Sequence, residues 1–481
     1  MQDKATASIY TLSKPNLTRA TKFLFAVQVH LFCAGNQAPL SQPSFLLKRL
    51  FEPVNNNRLV LFRMLFGAIM AIECLGSVFT GRVREVFVAT PFNFSFIGFE
   101  WLSVLHGSWM NYYYIAMSML CIMVALGLFY RVSIIALALM WTLTYLAEKT
   151  HYNNHYYLML LLSWVMVVMP AHRRGSLDVK MGWVPPANTC YQWQQYLFIG
   201  QIWILYTFAA IAKMNPDWLQ AMPLKMWMHN FRMIPVIGPL FRSEASPWLM
   251  AYFGLLFDLL IVPSLLWRKT RLTAFFIGVF FHLSNSILFG IGTFPYLAIA
   301  LCIFFASAEW LEQRIMRNAE FKATLLQLPS RQKQHLLTGF VLIYLLVQML
   351  LPIRHWLIRG NVNWTEEGHR MAWRMMLRSK NGGIMFKIKD KQTGKEYQDF
   401  PNRILPREQF SDLNTHPDII WQYAQFLKKQ YKAQGIEPAI YAVGCCSLNG
   451  KACVPMINPE SDLASVKWNT FGHNQWITLE Y

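Results

Sequence analysis

The chain has 481 residues, 54% of them hydrophobic and only 14% charged. That much apolar surface excludes an ordinary water-soluble globule and points to helices in lipid. The net charge of +19 comes with no nucleic-acid motif. Basic loops facing anionic membrane lipid account for it, and nucleic acid is not an expected partner.

Residues 1–22 are polar and basic, and the apolar stretch Phe23–Cys33 is too short to span. No cleavable signal peptide is therefore expected, and the first span acts as its own insertion signal. Phe45–Phe51 mixes apolar and basic residues at helical spacing and reads as an interfacial helix on the cytoplasmic face. Nine apolar segments follow, at roughly 58–80, 111–130, 131–148, 156–170, 194–213, 247–267, 272–289, 291–308 and 336–352. With the N-terminus inside, Arg131, the Arg173-Arg174…Lys180 loop, Arg268-Lys269-Thr-Arg271 and the basic 309–335 loop are cytoplasmic, in line with the positive-inside rule. Everything after about residue 353 then lies outside.

The tail is soluble in character. Gly383–Asp390, a five-residue turn and Glu396–Phe400 read as a β-hairpin, residues 406–434 as a helix, and Ile440–Val443 with a later segment as strands. Cys445, Cys446 and Cys453 cluster there, so one disulfide joining Cys453 to Cys445 or Cys446 is expected in an oxidising compartment. The expected fold class is a polytopic α-helical membrane protein of about nine transmembrane helices with a small C-terminal α+β extramembrane domain. Its parts are a cytoplasmic segment at 1–57, the transmembrane part at 58–352 and the tail at 353–481.

Several polar residues do not belong in lipid. Lys213 ends the apolar run Ile204-Leu-Tyr-Thr-Phe-Ala-Ala-Ile-Ala-Lys213. Desolvation disfavours its ammonium form, which makes it a candidate neutral base; the bland alternative is a lysine snorkelling to the head groups. Asn154 and His155 open the fourth helix. His282 and Asn285, three apart, share one face of the seventh, either as an interhelical hydrogen-bonding pair or as part of a site. Asp258 is a carboxylate inside the sixth span, a partner for a buried cation or a proton site. In the topology above, Lys213, His155, His282 and Asn285 lie toward one depth, which suggests one shared site. No Walker loop, GxGxxG, GxSxG, HExxH or CxxC occurs, and no metal is expected.

Six ordered segments resemble the vitamin K-dependent gamma-glutamyl carboxylase family, whose membrane part is the HTTM domain. They are Leu61-Phe-Arg-Met-Leu-Phe-Gly67, Tyr130-Arg-Val-Ser133, Lys149-Thr-His-Tyr-Asn-Asn-His155, Ala212-Lys213-Met-Asn-Pro-Asp-Trp218, Phe281-His-Leu-Ser-Asn285, and Asn363-Trp-Thr365 followed by Trp373-Arg-Met-Met376. The resemblance implies an integral membrane lyase that uses reduced vitamin K, O2 and CO2 to convert protein glutamate to gamma-carboxyglutamate, releasing quinone epoxide. A glutamate γ C–H is too weak an acid for any side chain, so the oxygenated quinol serves as the base, and Lys213 has only to deprotonate the quinol. By the same resemblance His155 and Asn154 are catalytic partners of Lys213, His282 and Asn285 bind the quinone, and His355, His369 and Trp373 stand at the substrate end.

The chain departs from the family in places. The first outer loop, Val88-Ala-Thr-Pro-Phe-Asn-Phe94, lacks the cysteine of the family's loop-to-tail disulfide. His369 replaces a family tyrosine, and Arg378 and Lys380 replace a histidine and an arginine. The animal enzymes also carry a longer C-terminal region. A bacterial homologue in the inner membrane is expected, using menaquinol, with the endoplasmic reticulum as the eukaryotic counterpart. Expected partners are a glutamate-containing peptide or protein, membrane lipid and a quinone reductase. Two other readings stand beside this one: a quinol oxygenase that forms epoxide without carboxylating protein, and a non-enzymatic transporter lined by Lys213, His282 and Asp258.

Overall fold

The computed structural model describes residues 43–235, 238–314 and 327–479. The expectations for residues 1–42 lie outside these, as does the middle of the basic 309–335 loop. Helix α1 (Pro43–Leu50) covers the expected interfacial segment. It leads into a two-stranded clasp, β1 (Pro53–Asn55) antiparallel to β2 (Thr189–Tyr191). The apolar bundle consists of α2 (Asn57–Phe79), α3 (Met110–Leu126), α4 (Tyr130–Ala147), α5 (Asn154–Val168), α6 (Gln192–Lys213), α7 (Ser246–Leu266), α8 (Arg271–Phe289), α9 (Phe294–Leu301) and α10 (Arg331–Ile353).

Among the described residues six of these are long and apolar enough to cross a bilayer: α2, α4, α6, α7, α8 and α10. A seventh crossing is reached if α9 and its 3-10 continuation to Phe305 are joined to the helix Ala308–Arg314, to which they are bent by 108°. Helices α3 and α5 have 17 and 15 residues, short of the roughly 20 that a straight span requires. The segment expected as one span over 291–308 is therefore broken. Ala306 is extended at φ −64°, ψ 153°, and the Ser307 side chain accepts from Trp310 N at 3.1 Å, starting a new helix in a new direction.

Two of the recurring motifs turn out to be scaffold. A Cβ on Gly67 would stand 2.6 Å from Ala125 N and 2.7 Å from Cys121 O, so glycine lets α2 and α3 touch backbone to backbone. Arg63, fully buried, donates to Val124 O (3.2 Å), a carbonyl at the C-terminus of α3 that carries partial negative charge, and to the loop carbonyl Gly175 O (2.5 Å). Asp178 accepts from Phe129 N and Tyr130 N at 2.7 and 3.0 Å, and so caps α4 from the facing loop.

In the tail, β3 (Lys380–Asp390) pairs antiparallel with both β4 (Glu396–Asp399) and β5 (Pro438–Leu448), in the order β4-β3-β5. The single helix expected over 406–434 is two, Arg407–Leu413 and α11 (Pro417–Ala433). The break falls before Pro417, which lacks an N–H and sits in the first turn of α11, where none is needed. Ile419, Ile420, Tyr423 and Leu427 of α11 pack on Phe386, Ile388 and Ile440 of the sheet. The strand expected after residue 443 shrinks to isolated bridges, Cys446 with Val454 and Ile457 with Ile477. Cys445 bonds to Cys453, while Cys446, one residue on and so on the opposite face of β5, is a buried free thiol.

Tail and bundle meet over a buried, charged face. Phe94, in the loop between α2 and α3, enters the tail core, and Phe92 stacks on Phe426 with centroids 4.2 Å apart. Aromatic packing thus ties this loop to the tail. Beside it, Asp418 on α11 forms an ion pair with Lys149 at 2.6 Å and accepts from Arg370 at 2.7 Å. Burial lowers the Lys149 ammonium to about 8 even with Asp418 beside it. Burial also pushes the Asp418 carboxyl up, but Arg370 and Lys149 together outweigh it and hold the group below the usual carboxylate range.

Asp418→Asn should cost about 3–5 kcal/mol, because two buried cations lose their counter-charge. The folded carboxyl titrates below its unfolded value of about 4, so its stabilisation is complete above that pH and fades as the pH falls through it. Thermal unfolding in detergent should show the wild-type advantage over Asp418→Asn at about pH 6 shrinking toward about pH 3. A gap that stays constant over that range would remove Asp418 as the charge that closes this face.

Candidate active site

Helix α6 stops at Lys213 because Asn215-Pro216 cannot continue it. Asn215 instead accepts from Trp218 N at 3.0 Å and opens the short helix Pro216–Leu219, with Pro216 in its first turn. This fold-back lays the Trp218 ring 5.4 Å from the Lys213 ammonium, while the indole N–H donates to Ala251 O at 3.0 Å. Lys213 is only 7% exposed and Asp258 on α7 only 4%. Their Nζ–Oδ2 distance is 2.5 Å. Asp258 is thus the partner of the buried cation, one of the two roles its sequence position allows. Lys213 does not snorkel.

One helical face further up α6, seven residues before Lys213, Tyr206 Oη meets His282 Nε2 of α8 at 2.8 Å. His282 is enclosed by the rings of Phe257, Phe281 and Phe294 at 5.6, 5.4 and 5.8 Å. Phe257 is the neighbour of Asp258, so one turn of α7 touches both polar pairs. Phe294 also lies 6.4 Å from the ring of His155, which opens α5 together with Asn154. The side chains of His155 and Asn285 have no hydrogen-bond partner among the described residues. The structure gives no direct bond between Lys213 and His155; the aromatic wall connects them.

Asn154 faces the tail. Its amide donates to Arg374 O at 3.4 Å, and its Oδ1 accepts from Tyr152 Oη at 3.2 Å. A cavity of about 40 Å³ beside Tyr152, Tyr156 and Glu148 has room for one or two waters, and Lys213 does not line it.

The residues expected at the substrate end sit on one strained segment. Glu366, Met371, Trp373 and Met376 all have positive φ, between 53° and 60°, although none is glycine. Trp373 is fully buried against Tyr157, with ring centroids 5.0 Å apart, and its indole N–H is unpaired. His369 Nε2 accepts from Arg378 Nη1 at 3.2 Å, which puts the proton on Nδ1; that atom is buried and 3.9 Å from Glu366 Oε2. Burial, with Arg378 adding to it, holds His369 well below its ordinary value, so the ring is neutral. Burial pushes Glu366 up, but Arg378 and Lys380 outweigh it, and the carboxylate is ionised. His355 donates from Nδ1 to Pro352 O at 2.7 Å and accepts at Nε2 from Arg374 Nη1 at 3.4 Å.

The tail also reaches the Lys213 end. Leu377 shares a core cluster with Ala212 and Trp218, and Asn449 donates to Asp217 at 2.8 Å. Two families are matched along this arrangement. A family model described as "HTTM domain" matches residues 51–310. One described as "Vitamin K-dependent gamma-carboxylase, lumenal domain" matches residues 333–480. The chain belongs to the vitamin K-dependent gamma-carboxylase family. No solved structure matches it. As a carboxylase-family member it is a membrane-embedded protein of a vitamin K-dependent kind, and glutamate-containing substrates go with that membership.

Three residues of this carboxylase fold stand in segments singled out in the sequence but have no role assigned to them there: Tyr206, Tyr152 and Arg374. Tyr206 had one available signal, its seven-residue spacing from Lys213, which places both on one helix face. Removing Asp258 alone, as Asp258→Leu, should cost about 3–5 kcal/mol because the ammonium is left buried and unpaired. Adding Lys213→Met should restore most of that loss in a detergent melting experiment. A double variant no more stable than the single would show that the two groups do not form the pair described.

Proposed function

We propose that this carboxylase-family protein converts protein glutamate to gamma-carboxyglutamate with a reduced naphthoquinone, O2 and CO2, and that the Lys213–Asp258 pair is its proton acceptor. The observation that carries the reading is a buried lysine bonded to a buried carboxylate at the end of an aromatic-walled polar row. The bound quinol supplies, with O2, the strong base that a glutamate γ C–H demands, and it ends as the epoxide. Two side chains with no hydrogen-bond partner among the described residues, His155, whose ring lies by Phe294, and Asn285, one turn along α8 from the ring-enclosed His282, suit a planar aromatic diol. Menaquinol in a bacterial inner membrane is the expected form.

The residues have distinct tasks. Lys213 and Asp258 share one proton, either as ammonium and carboxylate or as amine and acid. In both forms the pair is neutral and can take up one more proton. In the amine–acid form Lys213 Nζ receives the proton directly. In the ammonium–carboxylate form the shared proton leaves Nζ free for it by moving to Asp258. Either way the pair ends as ammonium and neutral acid, with Asp258 holding the nitrogen in place. His282, held by Tyr206, and Asn285 orient the ring, while His155 and Asn154 stand between it and the tail. Tail residues Leu377 and Asn449 close over the Lys213 end and exclude water, as a strongly basic reaction requires.

Lys213→Ala should abolish both epoxide and carboxylated peptide in protein that still inserts. Lys213→Arg should fail as well, because a guanidinium does not give up its proton. Near-normal epoxidation by Lys213→Arg would move the base elsewhere. A quinol oxygenase would make epoxide but fix no labelled CO2 into a glutamate peptide, and a transporter would make neither.

We also propose a cytoplasmic N-terminus, nine crossings and an external tail. Supporting this, the tail contacts the segments that carry Phe94, Lys149 and Asp217, while Arg174, Glu312 and Asn57 meet elsewhere, at the clasp end. Reporter fusions after Arg271 and after Ile358 should report opposite sides; finding both in the cytoplasm would sink this topology.

A further inference from the structure

Most cations at the face between tail and bundle have carboxylate partners; Arg354 and Arg374 do not, and Arg354 is held by the carbonyls of Leu351 and Arg370 instead. Lys149 and Arg370 share Asp418, and Arg378 and Lys380 share Glu366. Arg374 is only 7% exposed and has no carboxylate. Its Nη2 donates to Asn363 Oδ1 at 2.7 Å, and its Nη1 makes a long contact of 3.4 Å to the neutral His355 Nε2. Its Nε is buried with no partner at all. A guanidinium carries five N–H donors, so three are unfilled. Arg63 is also buried without a carboxylate, but two backbone carbonyls, one of them at the end of α3, hold it; a neutral amide and a neutral imidazole hold Arg374. Leaving a buried charge without a counter-charge is expensive unless something else supplies one.

The surroundings show where that something would sit. Arg374 lies in the segment with positive φ at Met371, Trp373 and Met376, and two further buried polar atoms of this segment, His369 Nδ1 and Trp373 Nε1, are also without partners. Backbone strain and unfilled polar atoms together mark a place built for a group that arrives later. The Arg374 carbonyl touches Asn154, next to His155, and Leu377 reaches the Ala212–Trp218 cluster. The guanidinium therefore stands between the tail and the polar row of the bundle.

We propose that Arg374 is the binding residue for the γ-carboxylate of the substrate glutamate, which supplies the missing counter-charge. This rests on the reading above that peptide glutamate is the substrate. The incoming carboxylate replaces the long contact to His355 with charge-assisted bonds to the free N–H edge, the geometry in which arginine holds a carboxylate with two bonds. The chemistry calls for a cation here. When the γ C–H bond breaks, the proton goes to the base made from the reduced quinone and O2, and the electron pair stays on a carbon that already bears a carboxylate. A second negative charge then builds up on the same small unit, until that pair forms the new bond to CO2. A guanidinium against the existing carboxylate offsets the charge.

The test is binding in the absence of quinol, so that no turnover is needed. Full-length protein in detergent is titrated with two fluorescent peptides that differ only as Glu against Gln. Wild type should prefer the Glu peptide by about 10- to 100-fold, the range for a charge-assisted hydrogen bond. Arg374→Met should erase the preference. It removes a cation that no protein carboxylate depends on, so the fold is expected to survive, and an intact Cys445–Cys453 bond reports on it. Arg374→Lys, which keeps the charge but loses the fork, should show an intermediate preference and a raised KM for labelled-CO2 incorporation. An unchanged Glu preference in Arg374→Met, or a wild-type KM in Arg374→Lys, would overturn the assignment and leave the carboxylase reading standing. A wild type that shows no Glu preference and fixes no label would bring down both.

Discussion

An ammonium cannot be closed inside an apolar bundle without a counter-charge, and Asp258 meets this need for Lys213. Much of the site geometry follows from that contact. It sets the rotation of α6 against α7, because the two side chains must face each other. With Asp258 turned toward α6, its neighbour Phe257 is turned toward α8, where it packs on Phe281 and His282. His282 then meets Tyr206, on the same face of α6 as Lys213. Three helices are thus fixed by two polar pairs, each satisfied in the interior, and a satisfied buried polar contact admits far fewer alternative packings than an apolar one.

The same rule governs the face between bundle and tail, where it is applied with an excess of positive charge. Asp418 and Glu366 each serve two cations. This economy holds the tail rigidly, since moving α11 or the Glu366 segment would strand two charges at once. It also gives the strained residues between Glu366 and Met376 something to be strained against. Four non-glycine residues at positive φ cost of order 1–3 kcal/mol each, and such conformations persist only where surrounding contacts determine them. Here the contacts come from both sides: Tyr152 Oη accepts from Met371 N at 2.7 Å while donating to Asn154 Oδ1, and Tyr157 packs on Trp373. The strained segment is clamped between the charge lattice of the tail and the first turn of α5.

What could be read from the sequence was contrast. Lys213, Asp258 and His282 are conspicuous because they interrupt apolar runs. Tyr206 and Phe257, which orient them, are invisible in such runs, since an aromatic residue there looks like any other core residue. Arg374 stands in the segment Trp373-Arg-Met-Met376, but an arginine in an extramembrane tail is ordinary by sequence, and only its burial without a carboxylate sets it apart. The break between α9 and the next helix carries no proline or glycine; it depends on the conformation of Ala306 and the cap at Ser307. Motif recurrence was equally blind to role. Arg63 and Gly67 stand in a segment as recognisable as that of Lys213, yet they serve the contact between α2 and α3.

On the proposed reading, the position of the site at helix ends is forced by its reactants. A quinol is soluble in lipid and reaches the protein through the bilayer, whereas a peptide glutamate is charged and arrives from water. Their meeting place has to be a boundary, apolar on one side and able to hold a carboxylate on the other. A site in the middle of the bundle would require the peptide to be desolvated over the whole depth of the membrane, and a site within the tail would be beyond the reach of a lipid-soluble ring. The ends of α6 and α8 and the start of α5 satisfy the first condition, and the cationic underside of the tail satisfies the second. The tail's closure over Trp218 and Asp217 adds what neither side has alone, a lid of protein that keeps water from a base strong enough to deprotonate it.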